Sequence, residues 1–157
     1  MDIFTVSLFG HRKIEDLRQL ETRLSLRIKE ILQTKSHVTF LIGRNGEFDI
    51  YAASVIKRLQ KEMGTVNHMF VCVLPYSDKD MAYYEAYYDS VILPACIGKP
   101  HPKRAITERN RWMTEQSDLF LCYVEHKKGG AYAALKYAKK LNKQIINLAE
   151  KDPNNEK

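Results

Sequence analysis

The stretch Val38–Leu59 reads VTFLIGRNGEFDIYAASVIKRL and changes its apolar pattern part-way along. Residues 38–42 form an apolar, β-rich run that predicts a strand. After GRNGEFD at 43–49, the apolar residues of 50–63 recur at helical spacing and stop at Gly64, which predicts a helix with a glycine C-cap. A strand, a glycine turn and a helix start are the parts of a phosphate-binding loop, although the G-x-G-x-x-G spacing is absent. The loop is therefore either an ordinary turn or one wall of a ligand site.

The same alternation runs along the whole chain. The spacing predicts strands over residues 3–9, 38–42, 69–75, 90–94, 118–124 and 144–148, and helices over 14–32, 50–63, 103–116 and 131–142. Strands that are apolar throughout and separated by helices indicate an α/β, Rossmann-like fold, whose mostly parallel sheet of about five to six strands has helices on both faces. We predict one domain over 1–150 and a polar C-terminal tail over 151–157.

Composition limits the class of protein. The 157 residues are 45% hydrophobic and 28% charged, which is typical of a globular chain, and the net charge of +6 favours anionic partners. No apolar run is long enough to span a bilayer, and MDIFTVSLFG lacks the basic start of a signal peptide. We expect a cytoplasmic protein without a membrane partner. Cys72, Cys96 and Cys122 lack metal-ligand spacing, so we predict buried reduced thiols and neither a metal nor a cofactor.

Ligands of parallel sheets bind at the carboxyl ends of the strands, which directs attention to the loops that follow them. These loops are Gly10-His11-Arg12, residues 43–49, Pro75-Tyr76 and residues 125–130. In the last of them two lysines and two glycines precede a helix, so bare amides and the positive end of the helix dipole face one point. This loop is either an anion site or an ordinary glycine-rich connection.

Several side chains have two interpretations. His11 is an acid/base group or a hydrogen-bonding residue, and Asp49 is the N-cap of a helix that begins at Ile50 or part of the site. Arg109 is expected on the inward face of its helix, where it needs an anionic partner: a ligand, Glu108 or Glu115. The tyrosine-rich run at 75–89 suits a core edge or a homo-oligomer interface, and also base stacking.

The order of the motifs resembles the SLOG superfamily of Rossmann-like proteins, in particular its YpsA-like branch. A first strand ends in GHR, a second is followed by G-x-x-G-x-x-D, ERNRWM precedes SDLFLCYV, and GGAYAALKYAKKLNKQIINL completes the arrangement. The relatives include the LOG phosphoribohydrolases and the Smf/DprA DNA-processing proteins. The resemblance implies a pocket for a nucleotide or nucleotide-derived ligand at the strand ends. The candidate ligand-binding residues are Gly10, His11, Arg12, Gly43, Arg44, Asn45, Gly46, Asp49, Arg109, Asn110, Gly129, Gly130 and Ala131.

One departure from the LOG pattern weakens the prediction of an enzyme. LOG enzymes carry P-G-G-x-G-T-x-x-E, whereas this chain has no proline before Gly129 and has Lys136 at the glutamate position. Lysine cannot supply a carboxylate, so LOG activity is not expected. The leading hypothesis is a nucleotide-binding sensor or signalling module. The alternatives are an N-glycosidic hydrolase or transferase that uses Glu47, Asp49 or Glu85, and a single-stranded DNA-binding protein.

Overall fold

The computed structural model describes residues 2–94 and 101–150, which form alternating strands and helices. The strands are β1 (Phe4–Gly10), β2 (Val38–Ile42), β3 (His68–Val73), β4 (Ser90–Ile92), β5 (Leu119–Tyr123) and β6 (Gln144–Asn147). The helices are α1 (Leu17–Thr34), α2 (Glu47–Met63), α3 (Met81–Tyr87), α4 (Pro102–Gln116) and α5 (Gly130–Lys140).

These strands form one six-stranded sheet in the order β4-β3-β2-β1-β5-β6, and every neighbouring pair is parallel. From β1 the chain adds β2, β3 and β4 in turn on one side, and β5 then pairs with the other side of β1. The direction of winding therefore reverses between β1 and β5. A crevice opens at such a reversal because the loops that follow the two strands lead to opposite faces of the sheet.

Side chains alternate between the two faces of the sheet, and each face is covered by its own helices. Val6 and Leu8 of β1 belong to the core that α1, α2 and α3 cover, whereas Phe9 belongs to the core under α4 and α5. Phe9 stacks on Phe120 of β5, with 4.8 Å between the ring centroids. This arrangement confirms the predicted α/β, Rossmann-like fold with a parallel sheet of up to six strands and helices on both faces.

The structure corrects the predicted start of the second helix. The helix begins at Glu47 and not at Ile50, and its N-cap is Gly46. Asp49 therefore lies in the first turn and does not cap the helix. Its carboxylate instead accepts from the backbone N–H of Asn45 at 2.9 Å. The predicted glycine C-cap is confirmed, because the N–H of Gly64 donates to the carbonyl of Gln60.

The tyrosine-rich run contains α3, a helix that its apolar pattern does not predict. The helix is short, and its tyrosines are divided between the core and the surface: Tyr84 is buried and Tyr83 is exposed. The predicted strand over 90–94 ends earlier, at Ile92.

The predicted buried thiols are confirmed for Cys72 and Cys122, which are both free and buried. Burial raises the pKa of Cys72 to about 11 and that of Cys122 to about 12, so both stay protonated at neutral pH.

Cys96 and the predicted tail over 151–157 lie outside the described residues. Across 2–94 and 101–150, no helix is long and apolar enough to cross a membrane.

Candidate functional site

A cavity of about 730 Å³ opens at the carboxyl ends of the central strands, where the winding direction reverses. It is bounded by the loops that follow β1, β2 and β5, and by one face of α4. Its lining residues are Leu8, Phe9, Gly10, His11, Arg12, Lys13, Glu15, Gly43, Asn45, Asp49, Ile106, Arg109, Asn110, Met113, His126, Lys128, Gly129, Gly130 and Ala131. Its volume lies in the range of small-molecule sites.

The β1 end of the cavity is held tightly against the start of α2. A Cβ on Gly10 would lie 2.1 Å from Cγ of Phe48, so only glycine fits there. The N–H of Glu47 donates to the carbonyl of Arg12 at 2.9 Å, and the Glu47 carboxylate accepts from the N–H of Ile14 at 2.7 Å. These bonds fix the loop after β1 and the loop after β2 relative to each other.

Arg109 is the most buried charged residue at the cavity, and its side chain is only 2% exposed. Its Nη1 donates to the carbonyl of Val73 and its Nε to Oδ1 of Asn110, each at 2.9 Å. With the amide of Asn45 turned so that oxygen faces the guanidinium, Nη2 donates to that oxygen at 2.8 Å. Burial lowers the pKa of Arg109, while the charge of Asp49 opposes the change. A guanidinium with these partners remains charged at neutral pH.

Asp49 supplies the nearby negative charge that Arg109 requires. Burial raises the pKa of Asp49, whereas the Asn45 N–H and the charges of Arg109 and Arg44 act in the opposite direction. The local carboxylates proposed from the sequence have other partners: Glu108 pairs with Arg104 at 3.4 Å, and Glu115 accepts from the hydroxyl of Tyr137.

The start of α5 contributes backbone donors to the cavity. Gly129 is the N-cap at φ +90°, a conformation that favours glycine, and no side chain caps the helix. The first N–H to bond back along the chain is that of Ala133, which donates to the carbonyl of Gly129. The N–H groups of the residues between them have no partner within the helix, and the first turn has no acidic residue. This end of the cavity therefore attracts anions.

His11 joins the loop after β1 to the loop after β5. Its Nε2 accepts from the backbone N–H of Glu125 and from that of His126, each at 3.0 Å. Burial lowers the pKa of His11, the nearby His126 lowers it further, and Glu125 opposes the change. The hydrogen-bonding role that the sequence left open is therefore observed, with the imidazole neutral and its proton on Nδ1.

Four sequence candidates are absent from the described lining of the cavity: Arg44, Gly46, Glu47 and Glu85, the last of which is exposed on α3. Arg44 turns toward α3, where it donates to the hydroxyl of Tyr88 at 3.0 Å and lies over the rings of Tyr83 and Tyr84. The other sequence candidates for ligand binding all line the cavity. Lys136, at the LOG glutamate position, lies over the ring of Tyr132 and is likewise absent from the described lining.

The structure adds cavity residues that the sequence did not single out. His126 approaches Glu15, with 3.6 Å between Nε2 and Oε1, and both line the cavity with Lys13. No local signal could have joined His126 to Glu15, because they belong to loops on opposite sides of the switch point. Both residues lie in loops that directly follow strands, and this position is the sequence signal that could have identified them.

No protein-family model and no curated protein matches this sequence. Solved structures do match its fold. DNA processing protein A of Streptococcus pneumoniae aligns with a TM-score of 0.62 and 11% identity, covering 91% of this chain and 49% of that chain. The present chain thus spans about half the length of the S. pneumoniae protein.

Two further structures are similar over nearly the whole chain. DNA processing protein A of Helicobacter pylori, studied for its single-stranded DNA binding mode, has a TM-score of 0.61 and 16% identity and covers 98% of this chain and 70% of that one. The Moco carrier protein of Chlamydomonas rheinhardtii has a TM-score of 0.59 and 14% identity, with coverages of 96% and 79%. These likenesses confirm the Rossmann-like fold, while membership of the SLOG superfamily and of its YpsA-like branch stays a prediction.

Proposed function

We propose that the cavity binds a phosphate-bearing nucleotide or nucleotide-derived ligand, as a binding module with a sensor or signalling role. The observation that carries this proposal is one cavity of about 730 Å³ at the switch point, where cationic side chains meet the first amides of α5, which have no partner within their helix. Arg12, Lys13 and Lys128 line it with the start of α5, and its acidic lining residues are Glu15 and Asp49. Such a site suits a ligand with one anionic end and a planar or apolar body.

A thermal-shift screen with AMP, ADP-ribose, NAD, adenosine and a single-stranded oligonucleotide tests this proposal. A ligand at 100 times its Kd stabilises the folded state by about 2.7 kcal/mol. At roughly 2–4 °C per kcal/mol for a domain of this size, the expected rise in Tm is about 5–11 °C. A flat response to every compound would remove the proposal.

Gly130→Leu shows whether a positive response comes from the cavity. A Cβ at Gly130 would lie 3.7 Å from Nδ2 of Asn110, so a leucine there extends into the cavity without a backbone clash. We expect this variant to fold and to lose the ligand-induced shift. Ala133→Leu is the matched control, since Ala133 is an exposed residue of the same helix outside the described lining. Equal shifts in the two variants would place the ligand elsewhere.

A glycosidic enzyme is the second candidate because Asp49 lines the cavity and burial raises its pKa, which is a property of general acids. Glu47 is less available, since its carboxylate is bonded to the Ile14 N–H. Product analysis of each hit distinguishes the two functions. A released base whose formation stops in Asp49→Asn would establish the enzyme, and an unchanged ligand would favour the binding module.

Single-stranded DNA is the third candidate. The H. pylori neighbour was studied for its binding of this ligand. The present chain also has six lysines and no acidic residue between His126 and Ala149. The oligonucleotide in the screen tests this candidate.

A further inference from the structure

The side-chain amide of Asn110 forms the part of the cavity wall that faces the start of α5. Its Oδ1 accepts from Nε of Arg109 at 2.9 Å. Its Nδ2 lies 3.7 Å from the position that a Cβ of Gly130 would occupy. Among residues 2–94 and 101–150, no group accepts a hydrogen bond from this Nδ2. The amide thus presents two unused donors to the cavity.

Arg109 dictates this orientation through elementary hydrogen-bond chemistry. A guanidinium has only donors, so an amide that contacts it must turn its oxygen inward and its NH₂ group away. The guanidinium itself cannot turn freely, because it is buried and donates to the carbonyl of Val73 and to the amide oxygen of Asn45. One buried cation therefore fixes the polarity of the Asn110 amide.

We propose that Arg109 is a positioning residue that makes Asn110 an obligate donor, and that this donor selects the phosphate group of the ligand. This inference rests on the proposed function and identifies which part of the ligand the α5 end of the cavity recognises. The Asn110 NH₂ and the first amides of α5 converge on one anionic oxygen cluster, with Lys128 at the edge of the same region. A neutral nucleoside gains less from this arrangement, because it brings no negative charge to these donors or to the positive end of the α5 dipole.

Asn110→Asp is the decisive variant because it preserves the shape of the side chain and reverses its polarity. The new carboxylate keeps its contact with Nε of Arg109, so the buried guanidinium retains a partner. Its other oxygen points toward the amides of α5 and supplies there the negative charge that a phosphate would bring. We expect the affinity for AMP, measured by calorimetry, to fall at least about tenfold, as the loss of a hydrogen bond to a charged group predicts.

Adenosine is the control ligand, because it lacks the phosphate group that Asn110 is proposed to recognise. Its affinity is expected to vary by less than about threefold between wild type and Asn110→Asp. The ratio of the AMP affinity to the adenosine affinity is therefore expected to be lower in the variant. Arg109→Lys is a second variant, in which an ammonium group cannot hold three carbonyl oxygens in the same geometry. If this buried change prevents folding, Asn110→Asp still decides the question.

The outcomes separate the inference from the proposed function. If wild type binds AMP and Asn110→Asp binds it equally well, the role of Asn110 is wrong and the cavity remains a nucleotide site. Equal losses for AMP and adenosine would indicate a steric role and would also overturn the inference. If wild type binds none of the phosphate-bearing nucleotides, the proposed function falls, and this inference falls with it.

Discussion

Gly10 and Gly130 both line the cavity, yet they tolerate a side chain very differently. At Gly10 a Cβ would lie 2.1 Å from the Phe48 ring, whose own burial is complete, so neither partner can move aside. At Gly130 the nearest atom to a Cβ is Asn110 Nδ2 at 3.7 Å, an ordinary contact. Both glycines are candidate ligand-binding residues in the sequence. In the structure, Gly10 is required by packing against Phe48, whereas Gly130 has room for a side chain.

We therefore expect Gly10→Ala to lower the free energy of unfolding by about 1–3 kcal/mol or more, which is the usual cost of forcing extra atoms into a packed core. Gly130→Ala is expected to stay within about 0.5 kcal/mol of wild type. Urea denaturation of both variants measures the difference. Similar losses of stability in the two variants would show that Gly10 does not pack against Phe48 as described.

At the scale of the elements, the site is assembled by ties between loops that are distant in sequence. The Glu47 carboxylate binds the loop after β1 to the start of α2, and Nε2 of His11 binds that same loop to the loop after β5. The loops on the two sides of the switch point thus converge on the segment that contains His11. One imidazole, that of His11, therefore links the loops on the two sides of the switch point.

The lowered pKa of His11 predicts that the protein loses stability in mild acid. Burial and His126 lower its pKa below the ordinary value of 6.5, while Glu125 opposes them. Glu15 faces the same group of side chains, since it pairs with His126. A lowered pKa means that the unfolded state binds the proton more tightly. The stability that neutral His11 provides is therefore complete above about pH 6.5 and is lost as the pH falls through its folded-state pKa. Protonation places a hydrogen on Nε2, where two N–H groups already point.

Urea denaturation between pH 7.5 and pH 5 tests this expectation with His11→Gln as the reference. A glutamine oxygen can accept the same hydrogen bonds but does not titrate. Wild type should lose more stability than the variant over this range, because only wild type has an imidazole at position 11. Parallel pH profiles would mean that the loop after β5 does not depend on His11.

At the scale of the whole molecule, positive charge is concentrated on the face that α4 and α5 cover. The six lysines between His126 and Ala149 are accompanied by Lys103, Arg104 and Arg111 of α4, against Glu108 and Glu115. The tyrosine-rich region at 76–89 on the other side of the sheet has the opposite balance. We therefore expect an anionic polymer to bind on the α4–α5 side. Lys128 belongs to this charged face and also lines the cavity.

If single-stranded DNA binds this face, its affinity should depend strongly on salt. For about three to five phosphate contacts, raising the salt from roughly 50 to 200 mM is expected to weaken binding by about 20- to 130-fold. Lys136→Glu with Lys140→Glu should weaken it further, whereas Arg58→Glu with Lys61→Glu on α2 makes the same charge change on the other face. Fluorescence anisotropy with an oligothymidine measures both pairs. Equal effects of the two pairs would indicate that net charge alone is responsible.

Local sequence patterns predict most of the elements and the edge of the sheet at which the site forms. Continuous apolar strands and helical spacing are local patterns, and parallel pairing follows from them, so the carboxyl ends of the strands could be named in advance. Gly10, Gly129 and Arg109 could be proposed in the same way, since glycine loops and inward arginines are visible along the chain. The helix α3 was missed because its apolar residues are tyrosines, which suit strands and surfaces as well as helices.

The role of each polar side chain, in contrast, depends on tertiary contacts. Arg44 follows a glycine turn as a ligand-binding arginine would, but its guanidinium packs against tyrosines of α3. Arg109 donates to the carbonyl of Val73 and to Asn110, and the charge that acts on it is that of Asp49 and not that of its neighbours Glu108 and Glu115. His11 contacts amides 114 and 115 residues away. Hydrogen bonds require separations of a few ångströms, and local patterns cannot state which distant atoms the folded chain brings within that distance.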